Sequence, residues 1–233
     1  MPPQPTARDG APEAGSDAVL DGRLDRLATL IAGAPLNLVS AAERPHVRAR
    51  HIDEALALAA LLPCRGGQLW MDLGTGGGLP GLVLAACRPD VSWVLVDSAR
   101  KKVDAVQRFA QELELVNVAV VAGRAETLAR EPAQRGSYDG VVARAVAPLA
   151  VLAELARGFL RADGVLAAIK GPTWSRELED AGRALTRLRY GRAFPAPVAS
   201  AARETWLVSI PAKGRPPQAY PRRDGVPRAD PLR

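Results

Sequence analysis

Apolar residues between Val19 and Leu62 recur every three or four positions, as in the stretches 20–31 and 51–62, the spacing of one buried helix face. Gly66 and Gly67 end that pattern. Beyond them short apolar runs alternate with amphipathic stretches of helical length. The runs, read as strands, are Gln68–Leu73, Ser92–Asp97, Val116–Ala122, Tyr138–Ala143 and Val165–Lys170. The helices between them are Pro80–Ala86, Arg100–Leu113 and Leu149–Arg161. Near-continuous apolar strands alternating with helices predict a parallel α/β sheet covered on both faces. A polar helix near Ser175–Arg189 follows, and then Arg192–Val198 and Thr205–Ile210, spaced as a hairpin.

The two ends break the pattern. Residues 1–18 are rich in Pro, Gly, Ala and Asp without a period, which predicts a disordered tail. Residues 213–233 hold five prolines and six basic residues, which predicts an extended basic arm outside the core. One domain at 19–212 remains, helical over 19–64 and sheet-based over 65–212, a normal size for a chain of 233 residues. A chain this long buries a core without disulfides or metal. Its two cysteines, Cys64 and Cys87, match neither a disulfide framework nor a zinc spacing, and with only two histidines no metal site is expected. Cys87 is expected to pack within its helix. No apolar run approaches the ~20 residues of a membrane helix, and the first twenty residues lack a signal-peptide stretch. The expectation is a soluble, cytoplasmic protein.

Charge adds a partner class. The formal net charge is +6, and only four of the 31 basic residues are lysine. A basic balance suggests an anionic partner, nucleic acid first; an arginine- and alanine-rich genome gives the same bias. With ten aromatic residues in all, a stacking platform for single strands is not the obvious design.

The chemistry concentrates where the first strand ends, in Asp72-Leu73-Gly74-Thr75-Gly76-Gly77-Gly78-Leu79-Pro80-Gly81. Glycines here let the backbone approach a ligand, and free N–H groups at the following helix start are expected to face it. Gly76, Gly78 and Gly81 satisfy the G-x-G-x-x-G spacing of dinucleotide sites. Asp72 shifts the balance, because a carboxylate leading the loop repels a pyrophosphate and favours a cationic ligand such as S-adenosylmethionine. Asp97 ends the second strand, where a carboxylate accepts the ribose hydroxyls of either ligand or else caps the next helix. Gly123-Arg124-Ala125-Glu126 follows the third strand, with backbone groups of Ala125 and Glu126 able to meet an adenine edge. Arg144, at the exit of the fourth strand, lies where ligands collect in open α/β sheets; a cap or salt bridge is its other reading. The exit lacks the Asn/Asp-Pro-Pro-aromatic pattern of amino-methylating enzymes and any Pro-Cys nucleophile.

Several stretches together resemble the bacterial 16S ribosomal RNA guanine-N7 methyltransferases, the glucose-inhibited division protein B family. They are Leu36–Ser40, Asp72–Gly81, Leu95–Ser98 with Lys101 and Lys102, Gly123–Glu126, and Tyr138-Asp139 with Ala143–Leu149. Ile169–Gly171 and the arm Tyr220–Pro227 with Pro231-Leu232 complete the set. The family's Arg-His-x-x-Asp-Ser motif is altered: Arg50-His51-Ile52-Asp53 is followed by Glu54 and Ala55. That departure leaves the segment without an expected polar role and His51 as an ordinary amphipathic-helix residue.

The resemblance implies an α/β, Rossmann-like class I methyltransferase with a mostly parallel seven-stranded sheet and N-terminal helices. It implies S-adenosyl-L-methionine as methyl donor, held by Gly74, Gly76, Leu79, Asp97, Ala125, Glu126 and Arg144. The implied acceptor is one guanine of 16S ribosomal RNA in the small ribosomal subunit, with no membrane partner and a monomer as the default state. Guanine N7 bears a free lone pair and no proton, so no catalytic side chain is expected. RNA phosphates are expected on Arg215, Arg222, Arg223 and Arg228 of the arm and on Arg44, Arg48 and Arg50. Two rivals remain: a methyltransferase on a small molecule or protein, and a non-catalytic RNA-binding module.

Overall fold

A computed structural model describes residues 15–199 and 203–232. Most of the expected tail, residues 1–14, lies outside the described residues, and the first helix, α1 (Gly15–Gly33), begins four residues earlier than its apolar spacing predicts. A 3-10 turn (Arg44–His46) and a π turn (Arg48–Ile52) lead into α2 (Asp53–Ala59). The strands are β1 (Leu69–Leu73), β2 (Ser92–Asp97), β3 (Val118–Ala122), β4 (Tyr138–Arg144), β5 (Leu160–Lys170), β6 (Phe194–Val198) and β7 (Thr205–Pro211). Between them run α3 (Gly81–Cys87), α4 (Arg100–Glu112), α5 (Ala125–Leu128), α6 (Leu149–Arg157), α7 (Trp174–Asp180) and α8 (Gly182–Arg187).

These strands form one seven-stranded sheet in the order β3-β2-β1-β4-β5-β7-β6. The pairs from β3 through β5 are parallel, and β7 runs antiparallel to both β5 and β6. From β1 the chain winds through β2 to β3 on one side and then crosses from β3 to β4 on the other, so the sheet has its switch point between β1 and β4, at the carboxyl ends of both. β5 is longer than its apolar run: it pairs with β4 from Leu160, and the register slips at Tyr138/Gly140 before the apolar half starts at Val165.

Alternation along each strand feeds two cores. On β1, Trp70 shares a core with residues of α1, the π turn, α2 and α3 such as Leu27, Ile52, Leu58 and Leu82. Met71 and Leu73 point the other way, toward Val141, Leu152, Leu155 and Phe159. The N-terminal helices therefore cover one face of the sheet, together with α3 and α4. Among the described residues no helix is long and apolar enough to cross a membrane.

The C-terminal arm differs from the expectation of an extended segment apart from the core. It folds back over α5 and α6 and ends in a short helix, α9 (Val226–Ala229), with Leu232 buried. Its anchor is Glu154 of α6, which is fully buried and accepts from the Arg222 backbone N–H at 2.8 Å, from Nε at 3.0 Å and from Nη2 at 2.8 Å. Arg135 donates to the carbonyls of Pro217 and Tyr220, and Arg130 to that of Pro221. A proline-rich stretch makes few hydrogen bonds of its own, so side chains of the body satisfy its carbonyls. That pairing is invisible in a composition.

Candidate donor-binding site

The loop after β1 is held from below by two carboxylates. Asp72 is buried; its Oδ2 accepts the Thr75 hydroxyl at 2.7 Å and the Gly81 N–H at 2.9 Å. Its Oδ1 is buried without a hydrogen-bond partner. Burial pushes the Asp72 carboxyl up to about 6, against the pull of those two hydrogen bonds. Asp72 does not line the cavity described below, so it does not meet a ligand as the sequence reading supposed; it ties the loop to the start of α3. Gly81 has to be glycine there, because a Cβ would come within 2.6 Å of Asp72 Oδ2 and 2.8 Å of Leu95. At Gly74 the φ of +74° and a Val146 methyl 2.6 Å from any Cβ have the same consequence.

The second carboxylate is Asp97. Its Oδ2 accepts the Gly76 N–H at 2.9 Å and its Oδ1 accepts the Ala99 N–H at 2.8 Å. Ala99, not Asp97, is the N-cap of α4. Each carboxylate oxygen keeps a lone pair for a further donor.

Most of the loop's own N–H groups are consumed. Gly74 and Thr75 donate to Val96 O, Gly76 to Asp97, Gly78 and Leu79 to Thr75 O, and Gly81 to Asp72. Only the Gly77 N–H is left without an acceptor among the described residues, so one free N–H stands where a fan was expected, because the turn closes on itself and on two carboxylates. A pyrophosphate needs that fan. A cationic or neutral ligand does not.

A cavity of about 380 Å³ opens above this loop. All seven residues expected around a donor line it: Gly74, Gly76, Leu79, Asp97, Ala125, Glu126 and Arg144. Glu126 has a second task. Its buried carboxylate accepts the Gly225 N–H of the arm at 3.0 Å and pairs with Arg124. Burial pushes Glu126 up, but the Gly225 N–H and Arg124 outweigh it and hold the carboxyl below its ordinary value. The arm thereby reaches the rim, where Arg228 lines the cavity and donates to Val146 O at 2.9 Å.

Arg144 lines the cavity from the last position of β4. The backbone turns sharply after it, with Ala145 in the left-handed region at φ 55°, a strained position of the kind that collects at sites. Arg144 Nη1 donates to Glu54 Oε1 at 3.0 Å, so the salt-bridge reading holds while the residue lines the cavity. Glu54, left without a role by its departure from the family motif, is a buried carboxylate that also accepts from Arg203 and from the Thr205 hydroxyl at 2.8 Å. Burial pushes it up, yet the hydrogen bonds of Arg203 and Thr205 and the Arg144 charge hold it below its ordinary value. His51 is buried too, 3.4 Å from Arg144 through Nδ1 and 3.4 Å from Glu43 through Nε2, the latter outside hydrogen-bond geometry. Burial, and then the charge of Arg144, hold the imidazole below its ordinary value. The departure itself was the signal: a charged residue kept at a position facing β4 and β7. Cys87 sits on α3, half-buried, its thiol pushed by burial up to about 11.

The expected phosphate contacts divide. Arg222 is spent on Glu154 and Asp230, Arg48 on Asp21, Asp25 and Asp53, and Arg44 on the Leu36 carbonyl. Arg50, Arg215 and Arg223 make no ion pair among the described residues, and Lys102 lines the cavity.

Comparison with known proteins bears on the fold and the family. Solved structures with related folds include M. jannaschii TYW2 in complex with AdoMet, with a TM-score of 0.55 at 16% identity over 72% of this chain and 76% of that one. The O-methyltransferase TomG of Streptomyces achromogenes in complex with SAM has a TM-score of 0.55 at 18% identity over 82% and 90%. At such identities they bear on the fold, which is that of the class I methyltransferases. Curated relatives are nearer: ribosomal RNA small subunit methyltransferase G of Deinococcus deserti is 43% identical over 96% of this chain and 93% of its own length. The Deinococcus radiodurans protein of the same name is 42% identical over 97% and 91%. With the rRNA small subunit methyltransferase G family model also matching residues 24–200, the chain belongs to that family of methyltransferases.

Proposed function

We propose that the protein transfers the methyl group of S-adenosyl-L-methionine to N7 of one guanine in 16S ribosomal RNA, as a monomer in the cytoplasm. The observation that carries the donor half is the cavity lined by both Asp97 and Arg144. They leave β2 and β4, which flank β1, so they stand about two strand spacings apart, ~10 Å. That is the scale of an amino-acid chain attached to a ribose. In this reading Asp97 accepts the ribose hydroxyls, the Ala125–Glu126 backbone borders the adenine, and Arg144 meets the methionyl carboxylate. Gly74, Gly76 and Leu79 form the floor beneath the ribose and methionyl chain.

The chemistry asks for position and little else. The N7 lone pair forms a bond to the methyl carbon as the carbon–sulfur bond breaks, leaving the neutral thioether S-adenosylhomocysteine and a cationic 7-methylguanine. No proton moves. In-line placement of N7, methyl and sulfur can contribute ~7–11 kcal/mol. The RNA backbone is held at the cavity rim by Lys102 and Arg228, and farther out by Arg50, Arg215 and Arg223, whose charges are not spent on carboxylates.

The test is transfer of labelled methyl to small ribosomal subunits that lack the modification, with the nucleotide mapped. Label on N7 of a single guanine, lost in Asp97→Ala, is the expected result. Donor binding without labelling of subunits or free RNA would refute the acceptor.

A further inference from the structure

Arg144 stands against the cavity, yet nothing in its own strand fixes the plane of its guanidinium. Only Nη1 is engaged by protein among the described residues, by Glu54 at 3.0 Å and beside His51 Nδ1. Nε and Nη2, which point together on the other edge of the group, have no protein partner among the described residues. A guanidinium held by one edge presents the other as a fork, the shape that binds a carboxylate through two parallel hydrogen bonds.

Glu54 is in turn over-determined. Its Oε1 accepts from Arg144 Nη1 and, at 3.4 Å, from Arg203 Nη2; its Oε2 accepts from Arg203 Nε at 3.0 Å and Thr205 Oγ1 at 2.8 Å. These four donations use the lone-pair capacity of a carboxylate. They come from three places in the chain: the exit of β4, the approach to β7 and the first residue of β7. The Glu54 side chain is 3% exposed and that of Arg144 14%, so solvent does little to loosen the pair.

We infer that Glu54 is the positioning residue for donor binding: by holding Nη1 of Arg144 it aims the Nε–Nη2 fork into the cavity, where a donor carboxylate is received. This rests on the donor reading proposed above. It also gives the altered motif a purpose, since the longer Glu54 side chain spans from α2 to both β4 and β7.

Calorimetric titration of the full-length protein with S-adenosylmethionine tests it through a double-mutant cycle of Glu54→Gln and Arg144→Ala. Glu54→Gln keeps the shape and removes the charge, and donor affinity is expected to fall about tenfold or more. In the Arg144→Ala background the same substitution is expected to change affinity less than about twofold, because a residue acting through Arg144 has nothing left to act on. An equal loss in both backgrounds would mean a general packing role and overturn the inference. So would an unchanged affinity in Glu54→Gln while Arg144→Ala binds poorly. Arg144→Ala binding the donor as well as the unaltered protein would remove the donor role of Arg144 itself, and the inference with it. Glu54→Asp keeps the charge on a shorter side chain and guards against a Gln variant that does not fold. It is expected to raise the donor KM several-fold with kcat at saturation retained, and an unchanged KM overturns the inference.

Discussion

Replacing Asp72 by Asn isolates the energetic cost of the carboxylate under the glycine loop. The group has no exposed surface to spread its charge, and one of its two oxygens finds no donor at all. Its pKa rises from 3.8 to about 6, with burial as the leading cause. The native state therefore binds the Asp72 proton more tightly than the unfolded chain does. Between about pH 4 and 6 the native state carries more protons, so this group's contribution to stability falls as pH rises, and the full cost is present at pH 7. Roughly two pKa units correspond to about 3 kcal/mol. The Asn side chain does not titrate and keeps an acceptor for Thr75 and Gly81, but it presents an N–H₂ group where Oδ1 had no partner, costing about 1–3 kcal/mol at every pH. The stability difference, variant minus unaltered protein, is then expected to be negative near pH 4 and to climb by about 3 kcal/mol toward pH 7. Glu54 and Glu126, held below their ordinary values, lose their contribution as pH falls, but in both proteins alike, so they cancel. Urea denaturation of both proteins at a series of pH values reads the difference directly. A difference independent of pH would show that Asp72 ionises in the fold without penalty and would refute the reasoning.

Three further outcomes follow from the same geometry. Gly81→Ala drives a Cβ to 2.6 Å from Asp72 Oδ2 and is expected to cost about 1–3 kcal/mol in urea denaturation and to weaken donor binding in the same titration. Arg222→Ala leaves the buried Glu154 carboxylate without its partner and is expected to cost about 3–5 kcal/mol, whereas Arg223→Ala leaves stability unchanged and lowers the salt slope of RNA binding by about 0.7–0.9; the reverse assignment would return Arg222 to the RNA footprint. Because N7 attack moves no proton, kcat at saturating donor and RNA is expected to stay flat from about pH 6.5 to 8.5, and a single ionisation there would expose a general base.

The parts of this molecule that could be read along the chain are those set by local periodicity. The five parallel strands and their alternating helices follow from apolar runs of β length, and the two antiparallel strands from the hairpin spacing that follows them; burial is deepest in β1 and β4, at the centre of the parallel region, and shallow in the edge strands β3 and β6. That the expected residues line one cavity has a related reason. Asp97 and Arg144 end their strands and Ala125 follows the end of β3, and the topology of a parallel sheet brings those ends to one edge regardless of what lies between. The errors share the opposite property. Arg222 against Glu154 spans 68 residues, Glu54 against Thr205 spans 151, and Gly225 against Glu126 spans 99. A charge count treats each of these side chains as available to solvent or to RNA, when burial has already committed it to a partner on another element. The basic arm illustrates the consequence: its composition predicted an extended segment outside the core with Arg222 on RNA phosphate, but Arg222 is paired with the buried Glu154. The positive charge left unpaired is consequently smaller than the composition implies, because Arg48 and Arg222 are spent on carboxylates. The Gly225 N–H bonded to Glu126 and the Arg228 side chain in the lining make the arm part of the cavity wall, which no count of its charges conveys.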